Sequence, residues 1–243
     1  MDYSIVGAGG TLGDALMIVC KLANKKVKKI HHYCKFAGHY DEIRDIYSLL
    51  GPVEVIETSL GELNKIYPRF SAASSDVRGS AESPEAYIEE IDADECNFDL
   101  PTTSKFNLPN KYVTIQLRSG ISETKTATRR VLKQAELNDI IKELDSDTDI
   151  VLVGNTEGTY LKIPDLDYGN KRVINLINKT TLLECFTVIS ECQRFYGHQG
   201  MFSFWAVIQK VPARTYCHNR PSKRAVNMRV GSVKKWKKYI EFA

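Results

Sequence analysis

The sequence predicts an α/β protein with two Rossmann-like lobes and a ligand cleft between them. Strand-like and helix-like runs alternate in both halves of the 243 residues, a glycine-rich turn at 7–17 follows the first strand, and a loop-rich stretch at 69–110 separates the halves. We predict an amino-terminal lobe at 1–105 and a carboxy-terminal lobe at 106–225. A terminal basic helix at 226–243 is expected to pack back across the lobes.

Hydrophobic periodicity and turn signals justify the elements in chain order. In the first half we predict strands at 3–7, 27–33 and 53–57, with helices at 12–24 and 39–51. A short helix is predicted near 85–91. In the second half we predict strands at 111–117, 149–154, 171–177, 194–197 and 212–217, and helices at 128–145, from Thr181 and at 201–209. Thr181 and Glu184 form a capping box, which marks the start of the helix that follows.

Composition is that of an ordinary soluble protein, with 43% hydrophobic and 26% charged residues. No apolar run approaches the roughly 20 residues that a membrane span requires. The first residues lack the basic region and cleavage site of a signal peptide. The six cysteines are scattered without a C-x-x-C pair, which indicates reduced thiols and a cytoplasmic location.

Basic residues dominate the end of the chain, because 201–240 contains no Asp or Glu. This stretch is either a solvated basic face or a surface that meets an anion, such as a nucleotide diphosphate, a nucleic acid or a phosphorylated glycan. Peripheral contact with a membrane surface also stays open.

The glycine-rich turn "GAGGTLGDALM" at 7–17 allows two interpretations. Its glycines fit a dinucleotide-binding turn, but the second predicted strand ends in "HHYCK" without the acid that holds the ribose of NAD. Lys35 would suit NADP, yet no Tyr-x-x-x-Lys pair is present. Asp14, which closes the turn, instead fits a catalytic carboxylate beside a sugar-transfer cleft.

The ordered motifs of the chain resemble those of the glycosyltransferases with the GT-B fold that add ADP-heptose to lipopolysaccharide. The "GTLGDALM" loop matches a G-x-G-D-type loop, and "VGNTEG" matches a strand ending in G-x-x-x-E. "NLINKTTLLE" matches N-L-x-x-K-T-s-L-x-E, and "GHQGMFSF" lies where that family has G-x-D-S-G-x-x-H. The likeness is weakest over 58–108, and the compact chain would be a divergent, phage-type member.

The resemblance implies that 1–105 is the acceptor-side lobe and 106–225 the nucleotide-sugar-binding lobe, and it implies roles for individual residues. Asp14 would be the general base that takes a proton from the acceptor hydroxyl, and the surrounding loop would approach the substrates closely through Gly10, Thr11 and Gly13. The donor nucleotide and its diphosphate would be held by a second group: Arg118, Lys125, Glu157, His198, Gln199, Gly200 and Met201. Within it, Gly200 and Met201 begin a helix whose free N–H groups would bind the diphosphate.

Several of these residues also have a purely structural interpretation. Asp14 also suits the first turn of a helix, where the dipole favours an acid, and His198 also suits donation to a neighbouring carbonyl. Lys125 and Glu157 also suit a solvated surface. His198 stands in place of the family's Asp, and "KTAT" in place of K-x-W-P, so the resemblance does not identify the donor sugar.

These observations predict a glycosyltransferase that moves a sugar from a nucleotide-diphosphate donor to a hydroxyl of a glycan or lipopolysaccharide-type acceptor. The resemblance implies inversion, no metal and no cofactor beyond the donor as co-substrate. The "HHYC" run does not predict zinc, because His31 and His32 point to opposite faces of a strand. The alternatives are a phage-type transferase acting on a hydroxylated base in DNA, an NAD(P)-dependent oxidoreductase, and a binding module without catalysis.

Overall fold

The computed structural model describes residues 5–34, 39–66, 91–118, 131–155, 165–198, 200–216 and 237–243. The chain forms two compact units, unit 1 at 1–99 and unit 2 at 100–243. No helix among the described residues has the length and apolar character needed to cross a membrane.

Unit 1 is a parallel sheet covered by helices. Its elements are β1 Ile5–Gly10, α1 Leu12–Leu22, β2 Lys29–Cys34, α2 Tyr40–Ser48, β3 Glu54–Glu57 and α3 Leu60–Ile66. The strands lie in the order β1-β2-β3 and all pairs are parallel. The three predicted strands and the first two helices are confirmed.

Helix α3 was not predicted, although its start carries a sequence signal. The Ser59 amide and hydroxyl both donate to Oε2 of Glu62, at 3.0 and 2.7 Å. This is the S-x-x-E pattern that opens a helix. The helix predicted near 85–91 lies almost wholly outside the described residues.

The core of unit 1 forms where α1 and α2 pack together on the sheet. Leu16, Ile18 and Val19 of α1 and Ile43 and Ile46 of α2 are fully buried. Ile43, Ile46 and Tyr47 recur at helical spacing, so α2 turns one apolar face inward, whereas α1 is buried at every position from Asp14 to Cys20 and again at Leu22. The packing holds the start of α1 at the carboxyl end of β1.

Unit 2 is a second parallel sheet with the Rossmann strand order. Its elements are β4 Tyr112–Ile115, α4 Gln134–Glu143, β5 Asp149–Leu152, β6 Val173–Asn175, α5 Leu182–Glu191, β7 Phe195–His198, α6 Met201–Ile208, β8 Ala213–Tyr216 and β9 Ile240–Phe242. The spatial order is β6-β5-β4-β7-β8-β9, and each pair of neighbouring strands within the described residues is parallel. In chain order this reads 3-2-1-4-5-6, the dinucleotide-fold arrangement.

Side chains on both faces bury the second sheet. Leu137 and Ile140 of α4 pack on one face in a cluster with Ile115 and Tyr196. Trp205 of α6 stacks on Phe186 of α5 with ring centroids 4.5 Å apart. The predicted capping box is confirmed, since the Thr181 amide donates to Oε2 of Glu184 at 2.8 Å and the Glu184 amide donates to the Thr181 hydroxyl at 3.2 Å.

Helix α4 begins later than predicted. Residue 134 starts the helix, and Val131 instead pairs with Arg118 across an antiparallel bridge. The Leu132 amide donates to the Leu117 carbonyl at 2.8 Å. These bonds close the loop that follows β4, so 131–133 are extended; 128–130 lie outside the described residues.

The predicted terminal helix is wrong where the structure describes it. Ile240–Phe242 form strand β9, which pairs in parallel with β8 after a single 3₁₀ turn at Lys237–Tyr239. Glu241 binds Arg194 at 2.6 Å and Arg214 at 3.1 Å. The segment is extended because its backbone pairs with β8, and the ion pairs of Glu241 accompany this ladder; 226–236 lie outside the described residues.

Candidate functional site

The strand order of unit 2 reverses between β4 and β7, the position at which open α/β sheets have a crevice for ligands. Chain connections leave these two strands in opposite directions, and ligands of such sheets bind at their carboxyl ends. The Gln116 amide donates to the Tyr196 carbonyl at 2.8 Å, so the two strand ends lie side by side. Arg118 follows β4 and His198 ends β7, so both predicted donor-binding residues lie at this edge of the sheet.

Helix α6 begins at the same edge with its first amides directed away from the helix. Gly200 is its N-cap, as predicted, and Met201 is its first residue. The Gly200 amide donates to the Ser203 hydroxyl oxygen at 3.0 Å, and that hydroxyl donates to the Gly200 carbonyl at 2.9 Å. The amides of 201–203 have no acceptor within the helix, and no acid lies in its first turn. This is a chemical environment suited to an anion.

Arg118 is half-buried beside that edge. Burial lowers the pKa of its guanidinium below the usual value. A partly desolvated guanidinium attracts a phosphate more strongly than an exposed one, because less solvent screens the charge. The bridge to Val131 holds the backbone of Arg118 in place.

His198 makes the structural contact that the sequence also allowed. Its side chain is 1% exposed, and Nδ1 lies 3.1 Å from the Tyr216 carbonyl. Nδ1 therefore donates to that carbonyl, which makes Nε2 the acceptor nitrogen in the neutral ring. The predicted role of His198 in donor binding stays a prediction, while Lys125, Glu157 and Gln199 lie outside the described residues.

Asp14 in unit 1 lies at the start of α1 and reaches back to its N-cap. Oδ2 accepts hydrogen bonds from the Thr11 amide at 2.7 Å and the Thr11 hydroxyl at 2.8 Å. The residue is only 1% exposed. The structure thus shows the helix-start role of this acid. Its role as a general base stays a prediction.

Gly10 is required by the position of Asp14. Its φ is +124°, and a Cβ at this residue would lie 2.4 Å from Oδ2 of Asp14. Gly13 is half-buried in the first turn of α1. Because a carboxylate already accepts the Thr11 amide, a pyrophosphate here would lose that donor and meet a like charge. The geometry therefore argues against dinucleotide binding at this turn.

A buried histidine lies next to this loop, and sequence reasoning assigned it no function. His32 is 0% exposed, and its Nδ1 is 2.9 Å from the Tyr47 hydroxyl. The Tyr40 hydroxyl donates to the His32 carbonyl. His31 points to the other face, with Nδ1 3.2 Å from the Thr58 hydroxyl. The opposite orientations predicted for the two histidines are confirmed, and no group of three or more metal-ligating side chains occurs among the described residues.

The environment of His32 keeps its ring neutral. Burial lowers the pKa of His32 to about 4, and a hydrogen-bonding interaction with the Gly10 backbone opposes this shift more weakly. An interaction that favours the protonated form is the effect of a carbonyl oxygen facing the ring. One ring nitrogen is therefore a donor and the other an acceptor at neutral pH.

Acidification should destabilise the protein through His32. Its pKa is about 4 in the folded chain and about 6.5 unfolded, so the unfolded state binds more protons between these values. The stability that the neutral His32 ring contributes is fully present above pH 6.5. It is lost as the pH falls through 4, and the loss is about 3 kcal/mol at most. Urea unfolding at several pH values measures this. The His32→Gln variant should lack this part of the slope, and an unchanged slope would contradict the assignment.

Comparisons with known proteins identify the fold. No model of a known protein family matches the sequence, and neither does any curated protein. The structure is similar to the glycosyl transferase family 9 protein from Veillonella parvula, with TM-score 0.55, 10% identity, and coverage of 88% of this chain and 81% of that one. It is also similar to the E. coli ADP-heptose lps heptosyltransferase II, with TM-score 0.52, 13% identity, and coverage of 87% and 83%. The likeness confirms the predicted fold class, α/β with two Rossmann-like lobes of the GT-B type.

Proposed function

We propose that this chain is a glycosyltransferase that moves a sugar from a nucleotide-diphosphate donor to a hydroxyl of a saccharide acceptor. The observation that carries the proposal is the edge of unit 2, where the half-buried Arg118 and the start of α6 follow two adjacent strands. The fold is shared with the two glycosyltransferase structures described above.

The donor half of the chemistry belongs to unit 2. Negative charge grows on the diphosphate as the bond to the sugar breaks, and N–H groups fixed in advance stabilise that charge. Arg118 and the amides of 201–203 supply such donors. They would take the part that a divalent cation takes in other transferases, so we propose a reaction without a metal ion. Lys125, Glu157 and Gln199 are proposed to add to this site, as the family resemblance implies.

The acceptor half belongs to Asp14. We assign the proton transfer to the Asp14 carboxylate, which the Thr11 amide and hydroxyl hold through Oδ2. The acceptor oxygen forms a bond to the anomeric carbon, the bond from that carbon to the phosphate oxygen breaks, and the carboxylate receives the hydroxyl proton. A single displacement from the face opposite the leaving group inverts the configuration of the sugar.

A thermal-shift experiment with nucleotides tests the donor site. A nucleoside diphosphate at 100 times its dissociation constant should stabilise the wild type by about 2.7 kcal/mol. The Arg118→Ala variant should lose most of this stabilisation because it removes a guanidinium from the crevice. Arg172→Ala is the matched control, since Arg172 is 69% exposed and immediately precedes β6, at the amino end of the same sheet.

The same panel separates the competing functions. If a nucleoside diphosphate stabilises Arg118→Ala and Arg172→Ala equally, Arg118 does not contribute to the donor site. A shift with NAD or NADP and none with any nucleoside diphosphate would support an oxidoreductase. If the protein binds a nucleoside diphosphate but transfers no sugar to any acceptor, it is a binding module without catalysis. Product formed only on DNA with a hydroxylated base would replace the saccharide acceptor. We place the reaction in a reducing, cytoplasm-like compartment, since the six cysteines are scattered without a C-x-x-C pair.

A further inference from the structure

The Gly10–Thr11 peptide is the point on which the geometry of Asp14 depends. Its N–H, on Thr11, donates to Oδ2 of Asp14 at 2.7 Å. Its carbonyl belongs to Gly10, whose φ of +124° is a conformation that glycine adopts readily and residues with a side chain rarely adopt. Rotation of this peptide would turn the N–H away from Asp14. The orientation of the carboxylate therefore requires something that holds the carbonyl.

His32 is placed to hold that carbonyl. It pairs with Ala8 in the parallel ladder, while Gly10 pairs with Cys34, so Gly10 lies two residues further along the neighbouring strand. The ring interacts with the Gly10 backbone in the sense expected of a carbonyl. Within the described part of the chain, Nε2 is buried and makes no hydrogen bond of standard geometry. A buried ring nitrogen in this position needs a polar partner.

We propose that His32 is a positioning residue for the proposed base Asp14: Nε2–H holds the Gly10 carbonyl while the Tyr47 hydroxyl donates to Nδ1. Clamping both ends of the Gly10–Thr11 peptide fixes the Thr11 amide, and the amide fixes the carboxylate. The catalytic part of this inference rests on the proposed function. The geometric part does not.

The contacts around His32 support one orientation of the ring. Tyr47 lies in α2, is fully buried and contacts the ring edge to face at a centroid distance of 5.6 Å. Tyr40, in the same helix, donates to the His32 carbonyl. Both tyrosines therefore tie the histidine to α2, and the ring in turn connects α2 to the loop before α1. His32 acts through Gly10 and Thr11 and does not itself touch a substrate.

Two amide variants separate the two ring nitrogens. In His32→Asn the side-chain amide overlaps the position of Nδ1 and is too short to reach Gly10. In His32→Gln the amide reaches the position of Nε2. Amide hydrogen exchange at Thr11 should be about tenfold faster in His32→Asn, the loss expected for one hydrogen bond, and close to wild type in His32→Gln. Ile46→Val is the control for a small loss of packing elsewhere in α2, because Ile46 is fully buried. In this variant the exchange rate of the Thr11 amide should not change relative to the amides next to it in the chain.

Catalysis provides the second readout. In His32→Asn, kcat should fall by about tenfold while KM for the nucleotide donor stays within about twofold, and His32→Gln should restore kcat. Amide exchange at Thr11 that stays at the wild-type rate in His32→Asn would overturn the proposal. Equally faster exchange at Thr11 in both variants would also overturn it. If His32→Asn does not fold, faster exchange at Thr11 in His32→Gln would overturn it instead. If the wild type transfers no sugar, the proposed function fails, and the exchange data still decide whether His32 positions the loop.

Discussion

Replacing Asp14 by asparagine is expected to lower the rate of sugar transfer by about 10²–10⁴-fold, the range for loss of a general base. The fold should persist, because the amide oxygen of asparagine can still accept the Thr11 amide and hydroxyl that Oδ2 accepts now. The substitution therefore keeps the helix start and removes only the basic oxygen. Turnover measured with the donor identified by thermal shift gives the rate, and urea unfolding gives the stability.

Glu62 offers a matched control in the same unit. Its Oε2 accepts the Ser59 amide at 3.0 Å and the Ser59 hydroxyl at 2.7 Å, the same pair of bonds at the start of α3. Glu62→Gln should change stability by a similar small amount and leave the rate of transfer at the wild-type value. Comparing the two variants separates a catalytic effect from the general effect of neutralising an acid at a helix start.

A wild-type rate in Asp14→Asn would assign this residue to helix capping alone. Asp14→Ala would then cost about 1 kcal/mol, as loss of a helix-start acceptor does, and the base for the reaction would have to be sought elsewhere in unit 1. An equal loss of rate in Glu62→Gln would point instead to a general electrostatic effect on unit 1.

Local rules were sufficient for most of the regular elements of both units. Buried strands such as Tyr112–Ile115 and Asp149–Leu152 are short apolar runs, and helices such as α5 begin with a recognisable capping box. Parallel sheets followed from the alternation of strands and helices. The spatial order of the strands in unit 2 did not follow from periodicity, since which strands become neighbours depends on packing across the whole sheet.

Helix α3 was missed although Ser59 and Glu62 give it a local start signal. Strand β9 depends instead on contacts distant in the chain, since nothing in "YIEF" distinguishes a strand from a helix end and the extended form shows in its ladder with β8. His32 carries no motif either, because its significance lies in its proximity to Tyr47 and Gly10. For Asp14 the limit was different: the same residue satisfies the rule for a helix start and the pattern of a catalytic loop.

The two helix starts divide the proposed chemistry between the units. At the start of α1 an acid accepts the N-cap amide, so a phosphate there would meet negative charge. At the start of α6 the neutral Ser203 hydroxyl does so, and the amides of 201–203 have no acceptor within the helix. Phosphate binding is therefore favoured in unit 2, and proton abstraction by a carboxylate is favoured in unit 1.

Adding one methyl group at Gly10 should produce the largest loss of stability that this loop allows. In Gly10→Ala the Cβ would lie 2.4 Å from Oδ2 of Asp14, and the φ of +124° is unfavourable for any residue with a side chain. Strain and overlap together should cost about 3 kcal/mol or more. Urea unfolding gives this value, and turnover should fall with it because Asp14 must move.

Gly51→Ala is the control that isolates backbone strain from overlap. Gly51 also has a positive φ, +86°, but a Cβ there would meet no atom within 4 Å. Its cost should stay at about 1–2 kcal/mol, the strain of the left-handed conformation alone, and turnover should be unaffected. If Gly10→Ala costs no more than Gly51→Ala, the Asp14 carboxylate moves aside freely. A carboxylate that moves so easily is not held for proton transfer, and both its proposed role as base and the positioning role of His32 would lose their geometric support.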